Sequence, residues 1–201
     1  EQKLDEIVLR KTGMEIGPRP ELKPWREFLA HMQNAKDTVR IGLVGKYVEL
    51  QDAYKSINEA LFQAATYNNR KLDLQYIHSE KLTESNVEEK LSSMDGLIIA
   101  PGFGQRGVEG KFVALKYARE HDMPTFGICL GMQCMVIEYA RDVLGYKDAN
   151  STEMDVNTPH NVIDLMESQK CISNMGGTMR LGEYDCILQE GSKAEQAYGK
   201  T

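Results

Sequence analysis

No apolar run in this sequence approaches the roughly 18 residues that a bilayer-crossing helix requires. The charged start Glu1-Gln2-Lys3-Leu4-Asp5-Glu6 lacks the form of a secretory signal. Cysteine is scarce as well. Cys129, Cys134, Cys171 and Cys186 show no Cys-x-x-Cys spacing and no histidine pair beside them. Neither a zinc site nor a disulfide framework is indicated, no metal is expected, and a reducing, cytoplasmic setting fits. Positive charge is in deficit too, with 24 Lys and Arg against 30 Asp and Glu for a net charge of -6. That balance argues against nucleic acid or an anionic membrane as the main partner, while leaving local basic residues to bind a nucleotide. What is present is the composition of a soluble α/β domain, since 41% of the 201 residues are hydrophobic, enough to build a core at this length.

Residues 1–37 are mixed in character, punctuated by Gly17-Pro18-Arg19-Pro20 and Pro24. They read as an interdomain linker that packs on the main domain through Trp25 and Phe28. From 38 onward the pattern alternates. Arg40 to Tyr47 reads as a buried strand, and Ile57, Ala60, Leu61, Ala64 and Ala65 recur at helical spacing within 54–68. Further strands are expected at 72–78, 96–100 and 125–128, and helices at 85–93, 110–120 and 130–141. Such β-α repetition predicts a flavodoxin-like open, mostly parallel sheet with right-handed crossovers and helices on both faces. After Val143 the pattern changes. Asn161 to Met166 and Met179 to Gln189 read as strands around the turn signals Gly176-Gly177 and Gly182-Glu183, a small antiparallel add-on rather than another βαβ unit.

Chemistry concentrates at Phe126-Gly127-Ile128-Cys129-Leu130-Gly131-Met132-Gln133, an apolar strand running into a Gly-x-Cys-x-Gly turn and then a helix. With serine for cysteine this is the nucleophile-elbow pattern, whose glycines let the backbone turn sharply and leave the nucleophile above the sheet. A thiol at the start of a helix sits where unpaired N–H groups favour the thiolate. Most isolated cysteines are small buried core residues, so the elbow alone decides little. The upstream run Ile98-Ile99-Ala100-Pro101-Gly102-Phe103-Gly104-Gln105-Arg106-Gly107 decides more, because a second strand ends there in a glycine-rich loop. In an open parallel sheet the carboxyl ends of adjacent strands share a crevice, so N–H groups near Gly102 can face the carbonyl that Cys129 attacks, as an oxyanion hole does.

Four further segments stand out: Gly45-Lys46-Tyr47-Val48-Glu49-Leu50-Gln51-Asp52-Ala53-Tyr54-Lys55-Ser56, Gly104-Gln105-Arg106-Gly107-Val108-Glu109-Gly110, Ala149-Asn150-Ser151-Thr152-Glu153-Met154 and Gly176-Gly177-Thr178-Met179-Arg180-Leu181-Gly182. With the elbow they resemble the class I (triad) glutamine amidotransferase family, in the form that CTP synthases carry. The resemblance covers 38 to the end as the amidotransferase domain, and 1–37 is similar to the tail of the adjoining ligase domain. It implies that Cys129 attacks the side-chain amide of L-glutamine to form a thioester. Gly102 and the Leu130 amide would stabilise the oxyanion, and Leu130, Gly131, Met132, Gln133 and Glu153 would line the glutamine pocket together with Gly102. A carboxylate at Glu153 suits the substrate ammonium. The resemblance further implies no cofactor within these residues, ammonia passed to a ligase domain that aminates UTP to CTP with ATP and Mg, a homotetramer, and GTP as effector. Phe103 and Arg106 are the candidate GTP contacts, an aromatic face and a guanidinium suiting a base and phosphates.

Two departures bear on activity. The family places two glycines before the Phe of the oxyanion loop; here Pro101 takes the first place and removes an N–H donor, so the hole depends on Gly102 and its neighbours. The family also completes a Cys-His-Glu triad through a His-Pro-Glu motif and holds substrate with an Arg in an Arg-His-Arg-His-Arg-Tyr-Glu block, and these 201 residues contain neither. The expectation is a piece of a larger enzyme, feeble or inactive in isolation. Among the histidines His160 is the tempting substitute base, whereas His31, His78 and His121 read as surface or capping residues. Other readings are a stand-alone cysteine hydrolase with the same elbow and an incomplete domain that only docks on partners.

Overall fold

The strand-like runs pair into one four-stranded sheet. The computed structural model describes residues 3–18, 21–170, 182–183 and 185–199. Strands β1 (Asp37–Gly45), β2 (Arg70–His78), β3 (Gly96–Ile99) and β4 (Thr125–Gly127) lie parallel in the order β2-β1-β3-β4. Helices α3 (Lys55–Tyr67), α4 (Val87–Leu91) and α5 (Val108–Glu120) make the crossovers, and α6 (Leu130–Asp142) leaves β4. The expected open parallel sheet is the observed one, each strand within two or three residues of its expected bounds. Alternate side chains of the central strands feed two cores. Val44, Leu97 and Ile99 pack with Leu91, Leu115, Leu130 and Cys134 on the face of α4, α5 and α6. Leu43 and Ile98 pack with Tyr54, Ile57 and Leu61 on the α3 face. Burial on both faces is why β3 reads as an unbroken apolar run rather than an alternating one.

The lead-in forms two helices, α1 (Leu4–Lys11) and α2 (Lys23–Asn34), with Pro24 in the first turn of the second, where its missing N–H costs nothing. Phe28 meets Phe62 of α3 edge-on at 6.5 Å, and Trp25 stacks on Phe28 at 5.3 Å. The lead-in thus docks through Phe28, while Trp25 remains 58% exposed.

The antiparallel add-on is corrected. Strands β5 (Asn150–Ser151) and β6 (Asn161–Ile163) pair parallel, with a bulge between Asn150 and Ser151. The nine-residue stretch between them makes a crossover rather than a hairpin, looping through turns at Thr152 to His160 and returning in the same direction. Of the second expected strand, 179–181 and 184 lie outside the described residues, as do Cys171 and the Gly176-Gly177 turn; 182, 183 and 185–189 form no strand. A final short helix, α7 (Lys193–Tyr198), starts at Ser192, whose hydroxyl accepts from the Glu195 N–H.

Helices α5 and α6 are joined by an ion pair that periodicity does not reveal. Arg119 Nε and Nη2 donate to Glu138 Oε1 at 3.0 and 2.8 Å, with the Glu138 side chain 5% exposed. The Glu138 carboxylate raises the Arg119 pKa, chiefly through that hydrogen bond. Glu138→Ala leaves a half-buried guanidinium without its partner, and chemical denaturation should show a loss of about 2 kcal/mol, below the figure for a fully buried pair because Arg119 reaches water.

Candidate active site

The elbow forms because two close approaches demand it. Ile128 N donates to Ile99 O at 3.1 Å, extending the β3–β4 ladder, and Gly131 N donates back to Ile128 O at 2.9 Å, starting α6. The turn between them puts Cys129 at φ 54°, ψ -113°, a left-handed backbone that non-glycine residues rarely adopt. A Cβ at Gly131 would stand 2.1 Å from Ile99 O, and one at Gly127 would stand 2.6 Å from the Gly131 and Met132 backbone. The flanking glycines therefore let the helix start press against both strand ends. Cys129 is left exposed at the N-cap of α6, and its carbonyl accepts from Gln133 N at 3.1 Å.

The oxyanion loop lies beside it. Gly102 adjoins Leu130, with a built Cβ 3.7 Å from Leu130 Cδ2 and 3.6 Å from Lys46 Cε. Leu130 is buried beneath the elbow, and Gly131 with it. Gln105 Nε2 donates to Met154 O at 2.5 Å, which ties this loop to the one carrying Glu153. Glu153 is exposed, its N–H donating to Ser151 Oγ at 3.2 Å. Gln133 Oε1 is buried and accepts no hydrogen bond from a described residue, a cost unless something else donates to it. Met132, one residue earlier, faces outward. Further out, Phe103 is 80% exposed, while Arg106 pairs with Glu80 at 3.1 Å and lies 5.5 Å from the Tyr47 ring centroid.

No histidine stands at the thiol. His160 pairs with Asp148 at 2.7 Å and stacks on Tyr146, in the segment that Arg141 anchors through Ala149 O at the far end of α6. The thirteen residues of α6 put that end about 20 Å from Cys129. His78 ends β2, three strand spacings from β4, or about 14 Å. His121 caps α5 as expected, stacked on Tyr117 with Nδ1 2.8 Å from the Tyr117 carbonyl, and His31 is on the lead-in helix.

Two features escaped the sequence reading. Cys134, one turn into α6, is fully buried, and burial pushes its thiol up to about 11, so it stays protonated and unreactive at neutral pH. Lys111 is 2% exposed and donates through Nζ to Ala100 O at 2.6 Å. The available signal was register, since Val108, Lys111, Leu115 and Ala118 share the buried stripe of α5.

A model of the glutamine amidotransferase class-I family matches residues 49–200. The chain is 66% identical over 200 residues to the CTP synthase of Porphyromonas gingivalis, covering 100% of this chain and 37% of that protein. It is 64% identical over 198 residues to the CTP synthase of Bacteroides fragilis, covering 98% of this chain and 37% of that one. The chain thus spans little more than a third of the length of these curated relatives. A solved structure described as the Trypanosoma brucei CTPS glutaminase domain with bound acivicin superposes with a TM-score of 0.61 at 39% identity, covering 65% of this chain and 51% of that one.

Proposed function

The chain belongs to the glutamine amidotransferase class-I family, and from that premise we propose that it is the glutamine-hydrolysing part of a CTP synthase. The observation that carries the reading is an exposed thiol on a left-handed elbow beside a glycine loop, with a buried, unpaired amide oxygen one helical turn away. Cys129 Sγ attacks the side-chain amide carbon of L-glutamine, and the carbonyl oxygen takes the charge of the tetrahedral intermediate. Gly102 and Leu130 N–H groups hold that oxyanion. The C–N bond breaks as nitrogen takes a proton, releasing ammonia and leaving a glutamyl thioester, which water then hydrolyses to glutamate and free thiol. Gln133 Oε1 accepts from a substrate N–H, Glu153 pairs with the substrate ammonium, and Gly131 and Met132 complete the wall.

The proton transfers need a base that none of the four histidines supplies at the thiol. These residues alone therefore take a covalent glutamine mimic more readily than they sustain turnover. In a complete CTP synthase the ammonia would aminate UTP in a ligase domain using ATP and Mg, within a homotetramer, with GTP binding near Phe103 and Arg106. The exposed ring of Phe103 offers a stacking face, and Arg106 would exchange Glu80 for phosphate.

The test is intact-mass measurement before and after incubation with a diazo-ketone analogue of glutamine, with peptide mapping. One adduct on Cys129, blocked by excess glutamine, is the expected result. An unmodified chain, or a label on the exposed Cys186 instead, defeats the proposal.

A further inference from the structure

Lys111 takes no part in the chemistry just described, yet it is the most deeply buried cation among the described residues and it touches the strand end that carries the oxyanion loop. Its helix is held close by Gly110, where a Cβ would stand 1.7 Å from Ser79 O. Ala100 itself is fully buried, with its N–H donating to Val44 O at 2.9 Å and its carbonyl accepting from Lys111. Both backbone polar groups of the last residue before the loop are thereby fixed. Pro101 follows, with φ locked by its ring, and it confines Ala100 to extended backbone. On the far side of Gly102 the Lys46 ammonium donates to the Phe103 carbonyl. Gly102 therefore sits between two carbonyls, each held by a lysine.

We propose that Lys111 is a positioning residue, which by holding the Ala100 carbonyl fixes the peptide planes that aim the Gly102 N–H at the oxyanion formed on Cys129. The proposal rests on the assignment of Gly102 to the oxyanion hole. An ammonium is costly in such a place. Burial pushes Lys111 below the usual lysine range, nearby Cys134 opposes that, Lys46 adds to it and Cys129 opposes it. A methionine in the same register would avoid the cost and would leave Ala100 O unpaired. The charge is placed where its hydrogen bond sets a catalytic loop.

The test compares Lys111→Met and Lys111→Arg in the intact protein that contains this chain. In the Met variant kcat for glutamine hydrolysis should fall about tenfold to a hundredfold with KM within about twofold, the pattern of a contact made only in the transition state. Iodoacetamide labelling of Cys129, which forms no oxyanion, should keep its rate, and Lys111→Arg should recover most of kcat. A folded Met variant with wild-type kcat overturns the proposal; so does one in which kcat, KM and iodoacetamide labelling all collapse together, which marks a merely structural lysine. Where the Met variant does not fold, NMR of the wild type decides. The Gly102 amide and Lys111 Nζ signals should both move when the diazo-ketone adduct forms, and an unmoved Nζ signal overturns the proposal. A wild-type protein that neither hydrolyses glutamine nor takes the adduct defeats the amidotransferase reading itself, whereas an active wild type beside an unimpaired Met variant defeats only this inference.

Discussion

Replacing Cys129 by glycine should abolish glutamine hydrolysis and at the same time make the fold more stable. Loss of the nucleophile removes the covalent route, and the activity of the intact protein that contains this chain should fall by at least about ten-thousandfold, while diazo-ketone labelling at position 129 of the chain itself disappears. The gain in stability comes from the backbone. At φ 54° and ψ -113° Cys129 occupies a region where a Cβ carries a strain of about 1–3 kcal/mol. Glycine relieves it but adds freedom to the unfolded chain, an offset of about 0.4–1 kcal/mol. The net expectation is a gain of about 1 kcal/mol, read as a rise in Tm of about 2–4 °C for a chain of this size. Cys129→Ala is the control, because it loses the thiol and keeps the Cβ. It should be equally inactive without the stability gain. If the two variants melt together, the elbow is not strained and its φ is simply tolerated. If glycine alone melts higher, the site holds its nucleophile exposed at a cost to the fold, which is how strain at a functional turn arises.

How far the sequence carried these conclusions depends on the range of the interactions involved. The parallel sheet was legible because β3, buried on both faces, must read Gly-Leu-Ile-Ile, and because α3 shows its apolar stripe at helical spacing. The elbow was legible because two glycines flank one cysteine at a strand-to-helix switch, a strictly local signal. The pairing of β5 with β6 was not, since two- and three-residue strands carry almost no periodicity and nothing local fixes their direction. Lys111 and the Arg119–Glu138 pair were missed for a different reason. A lysine, an arginine and a glutamate on amphipathic helices are normally placed in solvent, and only the three-dimensional approach of α5 to β3 and α6 shows that Lys111 and Glu138 are buried and Arg119 half-buried. The same holds for His160. In the sequence it follows the elbow in a polar loop that could fold back on the thiol, and the length of α6 is what separates the two.

Gly131→Ala is the second substitution expected to act strongly, and it separates packing from chemistry at the elbow. The added methyl would stand 2.1 Å from Ile99 O, 2.8 Å from Ile99 C and 3.1 Å from Ile99 Cβ. Two of these are backbone atoms of a central strand, so no side chain can swing away to make room. The start of α6 must move outward by about 1 Å, stretching the hydrogen bond from Ile128 N to Ile99 O that closes the sheet at the site. Overpacking of this kind costs about 1–3 kcal/mol, and the rigid neighbour places this case at the upper end. The same displacement carries Cys129 and the Leu130 amide away from Gly102, and a shift of about 1 Å in a reacting geometry costs about a hundredfold in rate. Diazo-ketone labelling of Cys129 should slow by that factor while the thiol remains present and exposed. Gly102→Ala is the informative contrast, because its Cβ meets only Lys46 Cε at 3.6 Å and Leu130 Cδ2 at 3.7 Å, and alanine keeps the N–H. It should fold as the wild type does and label within about threefold of its rate, since ordinary contact distances ask nothing of the neighbours. Equal damage from both substitutions would mean that the elbow responds to any added bulk. Damage from Gly131→Ala alone would tie the reactivity of the thiol to the close approach of the helix start to the Ile99 backbone.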